Sequence, residues 1–273
     1  MRTTAVEFGL SARAVCEALG IELVELEDWS CCGASSAHSL DHELFVRLPA
    51  RNVALAQAAG LDIVTPCPAC YQRVLVADLQ LREDRAWRRE MEDLLGFTYT
   101  GQSRPRHLLE ILSEPEMVDA VRERVTQPLR GLRMVSYYGC VLVRPPGITG
   151  WDSPENPVRM DRLVEAIGAE PVDWSWKVDC CGASLTLSRR DIVVTLSTRL
   201  AEAAGEAGAD IIACACGLCH INLDTRQNLA EGKPVLYITE LIGLAFGLPG
   251  VERWLRKHTV DPRPVLRERG LLA

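Results

Sequence analysis

Nine of the chain's eleven cysteines fall into a pattern that could do chemistry. Adjacent pairs stand at Cys31-Cys32 and Cys180-Cys181, each followed by Gly-Ala-Ser, and CxxC pairs stand at Cys67/Cys70 and Cys216/Cys219. Both halves read C-G-x33-C, and one offset of 149 residues relates all four correspondences. The thiolate is the form that ligates metal, and soft thiolates select zinc, copper(I) or iron–sulfur clusters. Adjacent thiols could be inert packing, a vicinal disulfide or ligands of one polynuclear centre. The repeated spacing argues against packing, and a strained vicinal disulfide suits a reducing compartment poorly.

Four thiolates would close a tetrahedral zinc site. Zinc sites ordinarily use two CxxC knuckles, whereas adjacent cysteines suit a larger centre whose neighbouring thiolates reach different metal atoms. Cys140 adds a fifth thiol to the second group, too many for one zinc and more than the four of an ordinary cubane. Gly182 allows the backbone to approach such a centre closely. Cys16, alone on an apolar helical face, reads as packing. Cys214 is replaced by Thr65 in the other half and reads as a packing or outer-shell thiol. His38, His42 and His220 read as surface or outer-shell groups; His220 follows Cys219 directly, within reach of a hydrogen bond to cluster sulfur.

The elements that must position these thiols repeat as well. Helix then short strand is expected at "SARAVCEALG"/"IELVEL" and again at "PVRMDRLVEAIG"/"EPVDW". A long helix then a strand follows each adjacent pair: "DHELFVRLPARNVALAQAAG"/"LDIVTP" and "RRDIVVTLSTRLAEAAGEAGA"/"DIIACA". Each CxxC then opens a further helix. Each CCG is expected to follow a strand, and "LRMVSYYGC" is expected to be a strand ending on Cys140. Alternation of this kind implies parallel βα units, in which ligands gather at the C-terminal ends of strands. The fold class is therefore α/β, with two tandem pseudo-twofold modules, short parallel sheets and flanking helices. Residues 1–130 form the first module with a helical connector over 79–129, where "RPRHLLEILSE" reads as an amphipathic helix; residues 131–273 form the second. The counterpart of Cys140 falls near position −9, so the first module lacks its opening strand and first cysteine. Either the start is truncated, which is the expectation, or the first site has four thiols and holds zinc or a cubane.

Bulk properties narrow the function. The 273 residues are 48% hydrophobic and 25% charged with a net charge of −7, as in a soluble globular protein. The basic residues form no nucleic-acid stripe. No export signal or membrane span is seen, so the cysteines point to a reducing, cytoplasmic setting. The chain has neither a ferredoxin run nor a dinucleotide fingerprint, so a partner must supply its electrons.

The run Cys140-x39-Cys180-Cys181-Gly182-x33-Cys216-x2-Cys219, with "TPCPACY", "CGLCHINLD" and "PVLYITELIGLAFG", resembles the family of heterodisulfide reductase B subunits over nearly the whole chain. The resemblance implies two noncubane 4Fe–4S clusters. One would sit on Cys140, Cys180, Cys181, Cys216 and Cys219; the other would use Cys31, Cys32, Cys67 and Cys70, where zinc is the rival. It implies reduction of a small-molecule disulfide between the clusters, within a complex with a ferredoxin-like two-cluster subunit and a flavoprotein. The alternatives are an electron-transfer subunit of a quinone-linked lactate, glycolate or succinate dehydrogenase, and a scaffold subunit with zinc in the first site. Fused ferredoxin domains or membrane helices in many quinone-linked proteins are the expected discriminator.

Overall fold

The computed structural model describes residues 5–34 and 41–272. His38 lies outside these residues. All eleven cysteines are free thiols, so neither adjacent pair forms a disulfide.

The second half is organised by a four-stranded parallel sheet. Its strands are β3 (Arg133–Tyr137), β4 (Glu170–Pro171), β5 (Ile211–Cys214) and β6 (Val235–Tyr237), in spatial order β4-β3-β5-β6. The register places Met134 beside Ile211 and Tyr137 beside Cys214. Strand β5 is buried at every residue, the apolar run expected of a central parallel strand covered on both faces. The first half has a smaller parallel pair, β1 (Ile63–Thr65) with β2 (Pro105–His107).

Helices fill the rest in the expected order. In the first half these are α1 (Val6–Ala18), α2 (His42–Ala58), α3 (Pro68–Glu83), α4 (Arg85–Leu95), α5 (Leu108–Leu112) and α6 (Pro115–Arg124). The second half has α7 (Arg159–Ala166), α8 (Arg190–Glu206), α9 (Gly217–Arg226), α10 (Ile238–Ala245), α11 (Val251–Leu255) and α12 (Arg263–Glu268). Cys67 and Cys216 are the N-cap residues of α3 and α9, so each CxxC does open a helix.

Three expectations are corrected. Residues 21–26 are not a strand: β4, the equivalent segment, pairs with β3, whereas no described strand lies beside 21–26 to bond its backbone. Neither CCG follows a strand directly; β4 ends at Pro171 and irregular backbone leads to Cys180. Residues 105–107, expected as helix, form β2. Pro105 disfavours helical backbone at the residue before it, and the helix begins only at Leu108. There the Glu110 carboxylate accepts the His107 N–H at 3.3 Å, while His107 Nδ1 accepts from Leu109 N at 3.1 Å. The same device recurs where β6 meets α10: Glu240 accepts the Tyr237 N–H at 3.0 Å. Segment 105–112 is thus sheet and helix of the first half, not a connector.

Helix α1 packs onto α10 of the other half. Phe8 stacks on Tyr237 at 4.0 Å between ring centroids, and the Ser11 and Thr239 hydroxyls are 2.7 Å apart. Phe8, Ala12, Val15 and Cys16 therefore join the main core built on the four-stranded sheet. A second core of Ala50, Val53, Val74, Ala77, Leu81 and Met91 holds α2, α3 and α4 together.

His107 carries a testable consequence of this packing. Its ring is fully buried, and its Nε2 has no well-formed hydrogen bond. Burial holds it down to about 3 from an ordinary 6.5, with the Pro66 carbonyl opposing only in part. Its neutral form is what the folded state accepts. Its stabilising share is therefore complete above the unfolded value and is lost as pH falls from there towards about 3. Unfolding free energy should drop by ~1.4 kcal/mol per pH unit for this group below about pH 6. Denaturant titrations should show a shallower slope in His107→Asn, which keeps an N-cap acceptor; an unchanged slope would remove His107 from the account.

Candidate metal centres

The structure brings the five expected thiols of the second group together. Cys140 lies just past the end of β3, Cys180 and Cys181 enter from the loop before the 3-10 turn Ala183–Leu185, and Cys216 and Cys219 come from the start of α9. Cys140 bonds to Cys180; Cys219 bonds to both Cys181 and Cys216. Gly182 N donates to Cys180 Sγ at 3.3 Å, and Cys219 N donates to Cys216 Sγ at 3.4 Å. Hydrogen bonds from Cys140 and Cys219 pull Cys180 down to about 6, which favours its thiolate, and lower Cys181 in the same direction. Their donors Cys140 and Cys219 are pushed up correspondingly.

Glycines clear the space. Gly182 has φ 79°, and a Cβ there would lie 3.2 Å from Leu196 and Val193 side-chain carbons. At Gly139, φ 70°, a Cβ would come within 3.0 Å of Cys219 Sγ. Only glycine accepts both the left-handed backbone and that approach. A set of five soft donors fits an iron–sulfur centre and exceeds what one zinc can use.

The first group converges likewise, on four thiols. Cys32 and Cys70 Sγ are 2.9 Å apart, Cys70 bonds to Cys67, and Gly33 N donates to Cys31 Sγ at 3.4 Å. The Cys70 hydrogen bonds bring Cys32 to about 6 and Cys67 to about 7. Cys31 and Cys180 are the exposed members of the two groups.

The remaining cysteines pack. Cys16 is wholly buried in α1, and desolvation pushes it up to about 11. Cys214, also wholly buried, closes β5, and burial raises it well above the ordinary thiol range.

His220 does not turn its Nε2 to a cluster sulfur. That atom lies 3.0 Å from both the Val235 carbonyl and His258 Nδ1. His258 Nε2 lies 3.0 Å from Glu240 Oε1, completing a buried chain His220–His258–Glu240. The geometry is a relay of hydrogen bonds, not a metal cradle, because His258 spends one ring nitrogen on each neighbour. Burial, then the charge on His258, hold His220 down to about 3. Burial also opposes charge on His258, but the Glu240 bond and nearby carboxylates outweigh it and raise that histidine. Sequence reasoning missed His258 and Glu240; only the capping position of Glu240, three residues past Tyr237, was visible as a signal.

A cleft of about 500 Å³ opens beside Cys140, lined by Val141, Arg144, Pro145, Pro146, Pro154, Glu155 and, from α3 of the first half, Gln72. Gln72 Nε2 donates to the Arg144 carbonyl at 2.9 Å. Gln72 stands two residues past Cys70, so one wall of the cleft comes from the helix that carries the CxxC of the first group. Arg144 is held by Glu155 at 2.8 Å and by the Pro154 carbonyl at 2.7 Å, leaving no uncompensated cation in it.

Comparison with known proteins agrees with this architecture. The CCG cysteine-rich domain family matches residues 1–74 and 134–224. The chain is 32% identical over 267 residues to the 8-methylmenaquinol:fumarate reductase membrane anchor subunit of Wolinella succinogenes, covering 94% of this chain and 93% of that one. It is 31% identical over 256 residues to the B subunit of the ferredoxin/F(420)H(2)-dependent CoB-CoM heterodisulfide reductase of Methanosarcina acetivorans, covering 89% and 85%. An Archaeoglobus profundus protein described as like the B subunit of heterodisulfide reductase is 28% identical over 253 residues, covering 87% and 85%. Among solved structures, a hypothetical protein from Helicobacter pylori superposes with a TM-score of 0.75 over 96% of this chain at 14% identity. This chain spans half the length of that protein, and the likeness shows the fold alone. Paired thiol groups, parallel-sheet halves and relatives of matching length lead to one assignment: the chain belongs to the CCG cysteine-rich domain family, in the branch of the heterodisulfide reductase B subunits.

Proposed function

We propose that the chain is the iron–sulfur electron-transfer subunit of a multisubunit oxidoreductase, holding two 4Fe–4S clusters of the noncubane type. Cys140, Cys180, Cys181, Cys216 and Cys219 hold the second cluster; Cys31, Cys32, Cys67 and Cys70 hold the first. The observation that carries this reading is the convergence of two repeated thiol groups, the second with five members. When bound, the two clusters supply one-electron chemistry twice over, which a two-electron substrate between them requires. The protein's own part is to lower Cys180, Cys181, Cys32 and Cys67 towards the thiolate form and to hold a cleft open beside Cys140. Electrons come from partners, by family likeness a ferredoxin-like two-cluster subunit and a flavoprotein. Among the described residues no helix is long and apolar enough to cross a membrane. The reducing setting that thiolate ligands need places the subunit in the cytoplasm on this reading.

On the first reading the substrate is a small-molecule disulfide, as the names of the heterodisulfide reductase relatives suggest. A quinol-linked reading stands beside it on two observations. The quinol-linked relative matches over 93% of its own length, so the discriminator of fused domains or membrane helices does not set this chain apart from it. The cleft is also largely apolar, with its one arginine already paired, which suits a neutral ring better than a disulfide with acidic tails.

Anaerobic purification with iron, acid-labile sulfide and zinc analysis tests the core of the proposal. About eight iron per chain is expected for two 4Fe–4S centres; about four iron with one zinc would restrict it to the second site. Reduced protein that releases countable thiols from a small disulfide supports the first reading. Reduction of the oxidised clusters by a menaquinol analogue, with no such release, supports the second.

A further inference from the structure

Because the CCG and CxxC segments of the two halves repeat at one offset, the groups beside one thiol set can be compared position by position with those beside the other, except the fifth thiol, Cys140, which has no counterpart. The comparison, which rests on both sets holding iron–sulfur clusters, cancels what they share. Backbone donors are shared: Gly33 N and Gly182 N reach Cys31 and Cys180 at 3.4 and 3.3 Å, and the amides of Ala34 and Ala183 serve Cys32 and Cys181.

The fifth thiol, Cys140, is not shared, and Lys177, paired with Asp161, stands where the first half has Asp28, paired with Arg51; two further charges differ. Three residues past the CxxC the second half has Asn222, a neutral amide whose Nδ2 lies 3.3 Å from the Cys181 carbonyl and 3.8 Å from Cys181 Sγ. The first half has Arg73 there. Its half-buried guanidinium stacks 4.4 Å over the Phe45 ring and donates to Gln72 Oε1 at 2.6 Å. Among the described residues it pairs with no carboxylate. Burial works against its charge, and the neighbour that favours that charge is the Cys32 thiolate. Directly before the adjacent cysteines the second half has Asp179, whose charge opposes the Cys180 thiolate. The first half has Ser30, bonded to Asn52 at 2.9 Å. Two second-half cations do not restore the balance. Arg144 is paired with Glu155, and Arg226 bonds to Asn222 Oδ1 at 2.8 Å, so the Asn222 amide stands between it and Cys181.

Cluster potentials follow local net charge and hydrogen bonding to sulfur, and an electron is easier to add beside a positive charge. A full charge also outreaches an amide dipole at 3.8 Å. We propose that Arg73, reinforced by Ser30 where the second half has Asp179, sets the first centre at a higher reduction potential than the second. The first centre then fills first, and electrons within the chain run from the second centre, beside Cys140 and the cleft, to the first.

The test is an EPR-monitored potentiometric titration of the anaerobic full chain, wild type and variants, with iron and zinc measured on each sample. Two separate midpoints are expected. Arg73→Gln should lower the upper one by about tenfold in the reduced-to-oxidised ratio, or about 59 mV for one electron, and leave the lower one in place. Arg73→Lys should restore it. Asp179→Ser, at an exposed position, should raise the lower midpoint and does not depend on how Arg73→Gln folds. About eight iron per chain with midpoints that ignore both changes would overturn the charge inference while leaving the two clusters intact. About four iron with zinc would instead defeat the cluster reading of the first site, and this inference with it.

Discussion

Replacing Cys181 with serine should cut bound iron from about eight to about four per chain. Cys181 is 2% exposed and sits inside its group, bonded to Cys219 and reached by the Asn222 amide. A serine hydroxyl at that point is a hard, poorly acidic donor where the other groups offer soft sulfur. No water can take its place, because the position is closed. The first group, built from other chain segments, should keep its metal. Cys16→Ser is the control: its thiol packs in α1 and belongs to neither repeated thiol group, so iron content should not change. Iron and sulfide assays on anaerobically purified protein read both outcomes. Full iron retention in Cys181→Ser would dismiss the second group as a cluster site.

The largest expected stability effect lies away from the thiols. Glu240 is wholly buried and serves two partners, accepting the Tyr237 N–H and facing His258 at 3.0 Å. Glu240→Ala strands the backbone donor at the start of α10 and leaves His258, poised to carry charge, without its carboxylate. Breaking a buried pair from one side costs about 3–5 kcal/mol. For a chain of this size that corresponds to a fall in Tm of roughly 2–4 °C per kcal/mol. Glu240→Gln keeps an acceptor for Tyr237 and should lose clearly less. Differential scanning and denaturant unfolding of the anaerobic protein check both variants; a Glu240→Ala protein as stable as wild type would mean the relay contributes nothing to the fold.

The two variants also separate what the halves share from what they do not. Both halves place a glutamate three residues past a strand-to-helix junction, Glu110 and Glu240, and both aim the residue after the CxxC towards it. In the first half Tyr71 bonds Glu110 directly. In the second, His220 reaches Glu240 through His258, which α11 and the following turn deliver. One repeated frame thus holds a neutral phenol contact on one side and a three-residue relay on the other.

The pairing and spacing of the candidate ligand thiols could be read from the amino-acid order itself. Ligand chemistry depends on residue type, and the offset of 149 residues is a covalent fact that any fold of the duplicated unit must respect. Helices α2, α3, α8 and α9 and strands β1 and β5 were legible for the same local reason, through periodicity and the residues that end them. What lay beyond reach depends on which distant segments meet. Strand β2 exists because β1 offers it a parallel neighbour, and segment 21–26 fails as a strand because no described strand pairs with it. Helix α1 crosses to the core of the other half because Phe8 finds Tyr237 there. His258 joins His220 across 38 residues, and Arg73 has its charge favoured by Cys32 while pairing with no carboxylate among the described residues. Pairing, burial and unbalanced charge are properties of neighbours in space, and chain order does not name those neighbours.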